Sequence, residues 1–215
     1  MLMHTIIIYM TMLCFGLIEN IKGVSFPLIK AEFGVAYTTQ GGLASFTWFG
    51  YVGFCLLASL FMQRFGTKRA LLMGYVLISI GALATLGAPT FWTASAALLL
   101  VNAGFGFFEV GANALATIVF TTKAALMMNL MHFFYGLGAV LGPKSAGFLT
   151  NSCHFTWRQV YVSMVIPVVA LLLLVWRTRL NGNPDALSNE NTEARVSFGD
   201  ALRQPIVWLF CLTLG

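Results

Sequence analysis

Residues 92–119 read WTASAALLLVNAGFGFFEVGANALATIV and hold a single charged side chain, Glu109. The stretch exceeds the about 20 apolar residues that a helix needs to cross the hydrocarbon core of a bilayer. Comparable runs recur along the chain, which is 59% hydrophobic and 9% charged, whereas soluble domains carry about 25% charged residues. The sequence therefore predicts an integral membrane protein. Its runs lack the alternation of barrel strands, so they predict helices.

The apolar runs predict an all-α membrane protein whose spanning helices form one bundle within residues 1–178. Six spans are expected, at 5–28, 41–62, 70–88, 92–119, 127–149 and 159–178. Residues 179–204 are rich in polar and acidic side chains, so we expect a cytoplasmic linker there. Residues 205–215 are apolar again and predict the start of a truncated seventh helix, because this stretch is too short to cross.

Basic residues are distributed unevenly between the predicted loops. If the N-terminus is inside, Lys30 and Arg158 fall in outer loops. The basic residues that then fall on the inner side are Arg64, Lys68, Arg69, Lys123, Arg177, Arg179, Arg195 and Arg203. This bias predicts a cytoplasmic N-terminus in a multi-pass protein of the plasma membrane, of the bacterial inner-membrane kind. Topology thus explains the net charge of +5, and no nucleic-acid partner is expected.

Several function classes find no support in the sequence. No glycine-rich loop precedes a Lys-Ser or Lys-Thr pair, so no nucleotide-driven pump is predicted. No cluster of residues has metal-ligand spacing, and no nucleophile has a base partner, so we expect neither a metal site nor an enzyme. The cysteines are scattered and are interpreted as packing residues: Cys14, Cys55, Cys153 and Cys211. We expect no cofactor, with the proton as coupling ion.

The loop between spans two and three carries the main family resemblance. Residues 59–69 read SLFMQRFGTKR, which resembles the pattern Gly-x-x-x-Asp-Arg-x-Gly-x-Arg-Arg of the major facilitator superfamily of secondary transporters. The match holds at Arg64, Gly66, Lys68 and Arg69, whereas Ser59 and Gln63 depart from the pattern. The resemblance implies a gating loop, in which Gln63 replaces an ionic contact by a neutral hydrogen bond. It also implies one six-helix half, built from two three-helix repeats.

Within that superfamily, spans one, four and five are similar to the fucose:proton symporter family, which includes glucose/mannose symporters. The pattern Gly-x-x-Glu-x-x-x-Asn of span four is matched at Gly106, Glu109 and Asn113. Span five matches with Asn129-Leu130 followed by an aromatic and glycine-rich stretch, and span one matches in its Gly and Pro spacing. Fucose-type members carry Asp where this chain has Gly23. The resemblance implies proton-coupled uptake of a sugar or similar small polar solute by alternating access.

Span five also resembles another class of transporter. Residues 138–147 read GAVLGPKSAG, similar to the Gly-x-x-x-Gly-Pro-x-x-Gly-Gly motif of proton-coupled antiporters. Glycines allow close helix packing, and proline frees a carbonyl, so Gly138, Gly142 and Pro143 are predicted to form a helix hinge. A drug or metabolite exporter therefore remains an alternative to a symporter.

Carboxylates in apolar runs are the leading candidates for substrate and proton binding, because an unpaired buried charge costs several kcal/mol, about 2.5–3.5 on insertion scales. Glu109 lies near mid-membrane, where a carboxyl can load a proton on one side and release it on the other. The alternative is a neutral Glu that ties two helices together. Asn113 lies one turn beyond Glu109 on the same face and extends a polar stripe that begins near Asn102.

Span one supplies a second polar cluster. Glu19 and Lys22 are three residues apart and lie near one helical face, so they either form a buried ion pair or bind polar substrate groups. Asn20 points elsewhere and is a candidate partner for a substrate hydroxyl.

Span five and span two add three candidates. His132 can relay protons near neutral pH, and Tyr135 lies one turn further along; the alternative for His132 is a hydrogen-bonded packing role. Trp48 is the aromatic residue that we expect to stack on the solute.

The partners follow from a physical problem. One bundle is half of a transporter, and its polar face would meet lipid unless a second six-helix half covers it. That half would be the missing C-terminal half of a longer protein, a separate chain, or a second copy in a homodimer. The remaining alternative is a non-transporting remnant or assembly partner. Membrane lipid and a small polar solute complete the expected partners.

Overall fold

The computed structural model describes residues 2–178, and the regular elements in that range are all helical. The helices are α1 Leu2–Asn20, α2 Lys22–Phe33, α3 Tyr37–Phe65, α4 Thr67–Ala84, α5 Phe91–Val119, α6 Ala124–Asn151, α7 Trp157–Ser163 and α8 Val165–Arg177, with a 3-10 turn at Thr85–Gly87 after α4. In this part of the chain they make six segments that are long and apolar enough to cross a membrane. The prediction of an all-α bundle of six spans is confirmed. The predicted linker at 179–204 and seventh helix at 205–215 lie outside the described residues.

Two of the six spans are interrupted. Span one consists of α1 and α2, which meet at Ile21, directly between the predicted site residues Asn20 and Lys22. Span six consists of α7 and α8, which meet at Met164. Pro167 follows this second break and cannot donate to the carbonyl four residues earlier, which explains the interruption.

Helix α5 lies at the centre of the bundle and packs against α1, α3 and α4. Its contact with α4 is close because glycines face each other. A Cβ added at Gly104 would lie 2.7 Å from the Gly74 carbonyl oxygen, and one at Gly81 would lie 2.7 Å from the Val101 nitrogen. Apolar side chains gain little by leaving lipid for protein, so this backbone-to-backbone contact holds the helix pair together.

Helices α1 and α6 form a second close pair. Gly16 of α1 faces α6, where an added Cβ would lie 3.0 Å from the Ala139 nitrogen. Gly138 and Gly142 of α6 face the α1 backbone around Leu17. Helix α6 continues through Pro143. These glycines therefore serve close packing of spans one and five, and their role as a hinge remains a prediction.

The helix pairs follow a repeating scheme. Span one packs on span five, span two on span four, and span three on span six; span three also packs extensively on span four. The pairs one–five, two–four and three–six stay the same set when span one is exchanged with span four, span two with span five, and span three with span six. Such a scheme is the one expected of two three-helix repeats.

The link between spans two and three is shorter than expected from its basic sequence. Helix α3 extends to Phe65 and α4 begins at Thr67, so Gly66 alone joins them. Its φ of 84° lies in the region that favours glycine. The expected loop at 63–69 is wrong in extent, because polar side chains do not end a helix, whereas this glycine does.

At the opposite end of the bundle, an ionic cluster joins spans one, three and six. The Arg158 guanidinium donates to both oxygens of the Glu32 carboxylate at 2.6 Å, and the Trp157 indole donates to the same carboxylate at 2.6 Å. Arg158 also donates to the carbonyls of Thr85 and Ala88, at 3.0 and 2.8 Å. The planar guanidinium thus fixes three helix ends with one side chain.

Candidate functional site

An open cavity of about 210 Å³ lies between spans one, two, four and five, and two of its lining residues, Trp48 and His132, are exposed. It is lined by Met12, Phe15, Glu19, Trp48, Tyr51, Glu109, His132 and Tyr135. Five of these residues were singled out from the sequence: Glu19, Trp48, Glu109, His132 and Tyr135. At about 30 Å³ per water, the volume corresponds to about seven waters, which suits a small solute.

A larger cavity of about 680 Å³ lies between the N-terminal ends of α3 and α5. Its lining includes Leu43, Phe46, Phe91, Trp92 and Leu99, with hydroxyls as its polar side chains and no ionisable group. Such a surface offers little beyond apolar contact. We therefore place the candidate site at the smaller cavity, where the ionisable residues converge.

Glu19 is held by two neighbours. The Tyr135 hydroxyl donates a hydrogen bond of 2.6 Å to its Oε2 atom, across the close contact of α1 and α6. The Lys22 ammonium lies 3.9 Å from Oε1. The Glu19 side chain is 14% exposed and the Lys22 side chain is 18% exposed. The ion pair that the spacing of Glu19 and Lys22 predicts is therefore present, at a distance longer than a direct hydrogen bond. The shorter contact of Glu19 is the hydrogen bond from Tyr135.

Lys22 connects span one to span four. Its ammonium donates a hydrogen bond of 3.0 Å to Oδ1 of Asn102, which is buried in α5. The same ammonium lies 5.5 Å from the ring centre of Phe105 and 6.0 Å from that of Trp48. These distances are typical of attraction between a cation and an aromatic face.

Glu109 has a different environment. Its Oε1 atom accepts a hydrogen bond of 2.9 Å from the Asn113 amide, which also donates to the Glu109 carbonyl at 2.8 Å. Glu109 lines the same cavity as His132 and Glu19. Asn113 therefore orients the carboxyl from its own helix. Glu109 and Asn113 contact each other along span four as the expected polar stripe requires. Asn102 instead accepts a hydrogen bond from Lys22.

Asn20 bonds locally. Its amide donates to the Gly16 carbonyl at 2.7 Å. Asn20 does not line the cavity, so the structure does not bring it to the solute site.

Three residues of the cavity wall were missed as site residues in the sequence: Met12, Phe15 and Tyr51. The Phe15 ring packs 5.1 Å from Tyr135 and 6.4 Å from Tyr51, and Tyr51 meets Trp48 at 5.7 Å in an edge-to-face arrangement. Membrane spans consist mostly of apolar and aromatic residues, so the sequence did not distinguish these three as cavity residues. The result is an acidic cavity with aromatic walls.

The predicted gating loop contributes one interhelical contact. The Lys68 ammonium donates to the carbonyls of Trp176 and Thr178, each at 2.8 Å. It thereby caps the C-terminal end of α8, where helix carbonyls lack partners and favour a cation. Arg64 lies over the Phe65 ring, 5.5 Å from its centre. Within residues 2–178, no group of three or more possible metal ligands is found.

Comparison with known families gives one clear match. The model of the family described as Major Facilitator Superfamily matches residues 8–215, which is most of the chain.

A curated relative agrees with this match. The chain is 29% identical over 204 residues to the MFS-type transporter phomT of Diaporthe leptostromiformis, an alignment that covers 92% of this chain. It spans only 32% of that relative's length.

Proposed function

This chain belongs to the major facilitator superfamily, and on that premise we propose that it forms part of a proton-coupled secondary transporter. The transporter moves a small polar solute across the membrane by alternating access. The chain is multi-pass, and we propose a bacterial plasma membrane with a cytoplasmic N-terminus, on the charge bias of its loops. Enzymatic turnover is not part of the proposal.

The observation that carries the proposal is the pair of carboxyls in one cavity. Glu19 and Glu109 come from different spans and line the same space, to which span five contributes His132. Ionisable groups at membrane depth are costly unless they serve a pathway for ions or solute. Transporters of this architecture bind their solute near the bilayer midplane, where the repeats meet.

The two carboxyls differ in what they can do. Glu19 already accepts a hydrogen bond from Tyr135 and lies 3.9 Å from the Lys22 ammonium. The Glu109 carboxyl accepts a hydrogen bond from the Asn113 amide. This bond can form whether the carboxyl is protonated or ionised. We therefore assign proton carriage to Glu109 and solute orientation to Glu19 and Tyr135.

The sequence resemblance to fucose:proton symporters favours a sugar as solute and uptake as direction. Aromatic rings at the cavity can stack on the apolar faces of a sugar, and the carboxylates can accept its hydroxyls. The glycine motif at 138–147 favours the second candidate, proton-coupled efflux of a drug or metabolite. In either case the same cavity holds the solute.

A second six-helix half completes the proposed transporter. The chain spans about a third of the length of the relative that it matches. Helices α3 and α6, which contribute to the cavity wall, carry many exposed apolar side chains, among them Phe49, Leu60 and Phe133. We propose that this half lies on those helices, whether it is supplied by a longer form of this chain, a separate chain or a second copy.

The test is proton-driven transport in cells that express the protein. We expect labelled glucose to accumulate when the outside is acidified, and Glu109→Gln to abolish this while keeping the protein in the membrane. Glu190→Gln, the same change in the polar stretch after span six, serves as control. Ethidium efflux measured in the same cells decides the direction of transport. If Glu109→Gln retains both glucose uptake and ethidium efflux, the assignment of proton carriage to Glu109 is contradicted.

A further inference from the structure

We infer that the cavity selects a small organic cation, whose ammonium group lies beside Trp48 and competes there with the Lys22 ammonium. The inference rests on the proposed transport function and narrows its small polar solute to a charged one. It departs from the neutral sugar that the sequence resemblance implies.

The charge of the site favours a cationic solute. Two carboxylates line the cavity, and Lys22 lies at ion-pair distance from Glu19. In residues 2–178, Glu109 has no ammonium or guanidinium group at such a distance, and its hydrogen-bond partner is the neutral Asn113 amide. An ionised Glu109 therefore lacks a paired positive charge. A cationic solute supplies that charge, whereas a neutral sugar leaves it unbalanced.

The second argument is the nature of the walls. Phe15, Trp48, Tyr51 and Tyr135 present aromatic rings to the cavity, and successive pairs among them pack at 5.1 to 6.4 Å. Acids combined with several aromatic faces are the surroundings in which proteins hold alkylated ammonium groups.

The third argument is that the protein already places an ammonium there. The Lys22 Nζ atom lies 6.0 Å from the Trp48 ring centre, 5.5 Å from that of Phe105 and 3.9 Å from the Glu19 carboxylate. It is therefore a tethered cation at the edge of the cavity. A cationic solute competes with it for Trp48 and Glu19, while Lys22 keeps its hydrogen bond of 3.0 Å to Asn102.

The experiment measures binding by titration calorimetry on the full chain in lipid nanodiscs. The probes are choline and 3,3-dimethylbutan-1-ol, which share a shape and differ in the charge of one atom. We expect choline to bind about tenfold more tightly. In Lys22→Met the competitor is gone, so choline affinity should rise by about a further tenfold, while the alcohol stays unchanged. Lys30→Met is the control, because Lys30 lies over the Tyr37 ring at 3.9 Å, outside the cavity lining.

The opposing results are equally clear. Equal affinities for choline and the alcohol, or a choline affinity that Lys22→Met leaves unchanged or weakens, overturn the inference. If Lys22→Met does not fold, the isosteric Glu109→Gln replaces it, and there the preference for choline should vanish. Binding of glucose without binding of choline refutes the cation and leaves the proposed function standing. Binding of none of the three probes counts against both.

Discussion

Replacing Gly138 by alanine tests the close contact of α1 and α6 on which the cavity depends. A Cβ at this position would meet the Leu13 carbonyl oxygen and would lie 2.7 Å from the Leu17 nitrogen. Both are backbone atoms, which cannot rotate away as a side chain can. We therefore expect α6 to move off α1, and the Tyr135 to Glu19 hydrogen bond to weaken with it.

The magnitude follows from a matched control on the same helix. At Gly136 an added Cβ has no heavy atom within 4 Å, so Gly136→Ala changes only helix propensity, a gain of about 1 kcal/mol. Gly138→Ala has the same gain and adds the cost of overpacking, about 1–3 kcal/mol. Because the propensity term cancels, the free energies of unfolding of the two variants should differ by about 1–3 kcal/mol.

The assay is unfolding of each purified variant in mixed micelles by increasing SDS, followed by tryptophan fluorescence. Gly138→Ala should unfold at lower SDS than Gly136→Ala, and Gly136→Ala should unfold at equal or higher SDS than wild type. Coincident curves for the two variants would refute the argument that glycine is required at the contact.

Two further predictions concern the ends of the bundle. Arg158→Lys keeps the charge but loses the fork that reaches Glu32 and two carbonyls, so it should destabilise the fold by about 1–3 kcal/mol in the same unfolding assay; an unchanged midpoint would show that the ionic cluster is dispensable. Lys68→Met should cost less, about 0.3–1 kcal/mol, and should speed hydrogen exchange in the last turn of α8, whereas the exposed Lys144→Met should not. Equal exchange in both variants would refute the capping role of Lys68.

The sequence was sufficient for the fold and for the charged part of the site. Apolar runs interrupted by turn residues located the six spans, although helix ends moved by several residues. Glu19 and Glu109 were conspicuous because a charge in an apolar run needs a reason. The resemblance to known transporters then brought in span five, where Tyr135 proved to be the partner of Glu19.

What the sequence missed depends on tertiary contacts. Tyr51 and Phe15 carry no contrast with their apolar surroundings, so nothing marked them as cavity walls. Arg158 could be assigned only to an outer loop, because its partners come from the ends of two other spans. Lys68 read as one of several loop charges, and its contact with the end of α8 joins residues more than 100 positions apart.

The central claim is that, in the proposed transporter, the cavity beside the two half-buried acids is accessible to water and covered from lipid. The most direct test is labelling of His132→Cys, in a background with the native cysteines changed to serine, by a membrane-impermeant cationic thiol reagent in native membranes. The thiolate that reacts forms only in water, so the account predicts rapid labelling at this cavity position. Ile166→Cys, whose parent side chain is 74% exposed on the outside of α8, should stay unlabelled because lipid covers it. No reaction at position 132, or equal reaction at both positions, would contradict the account.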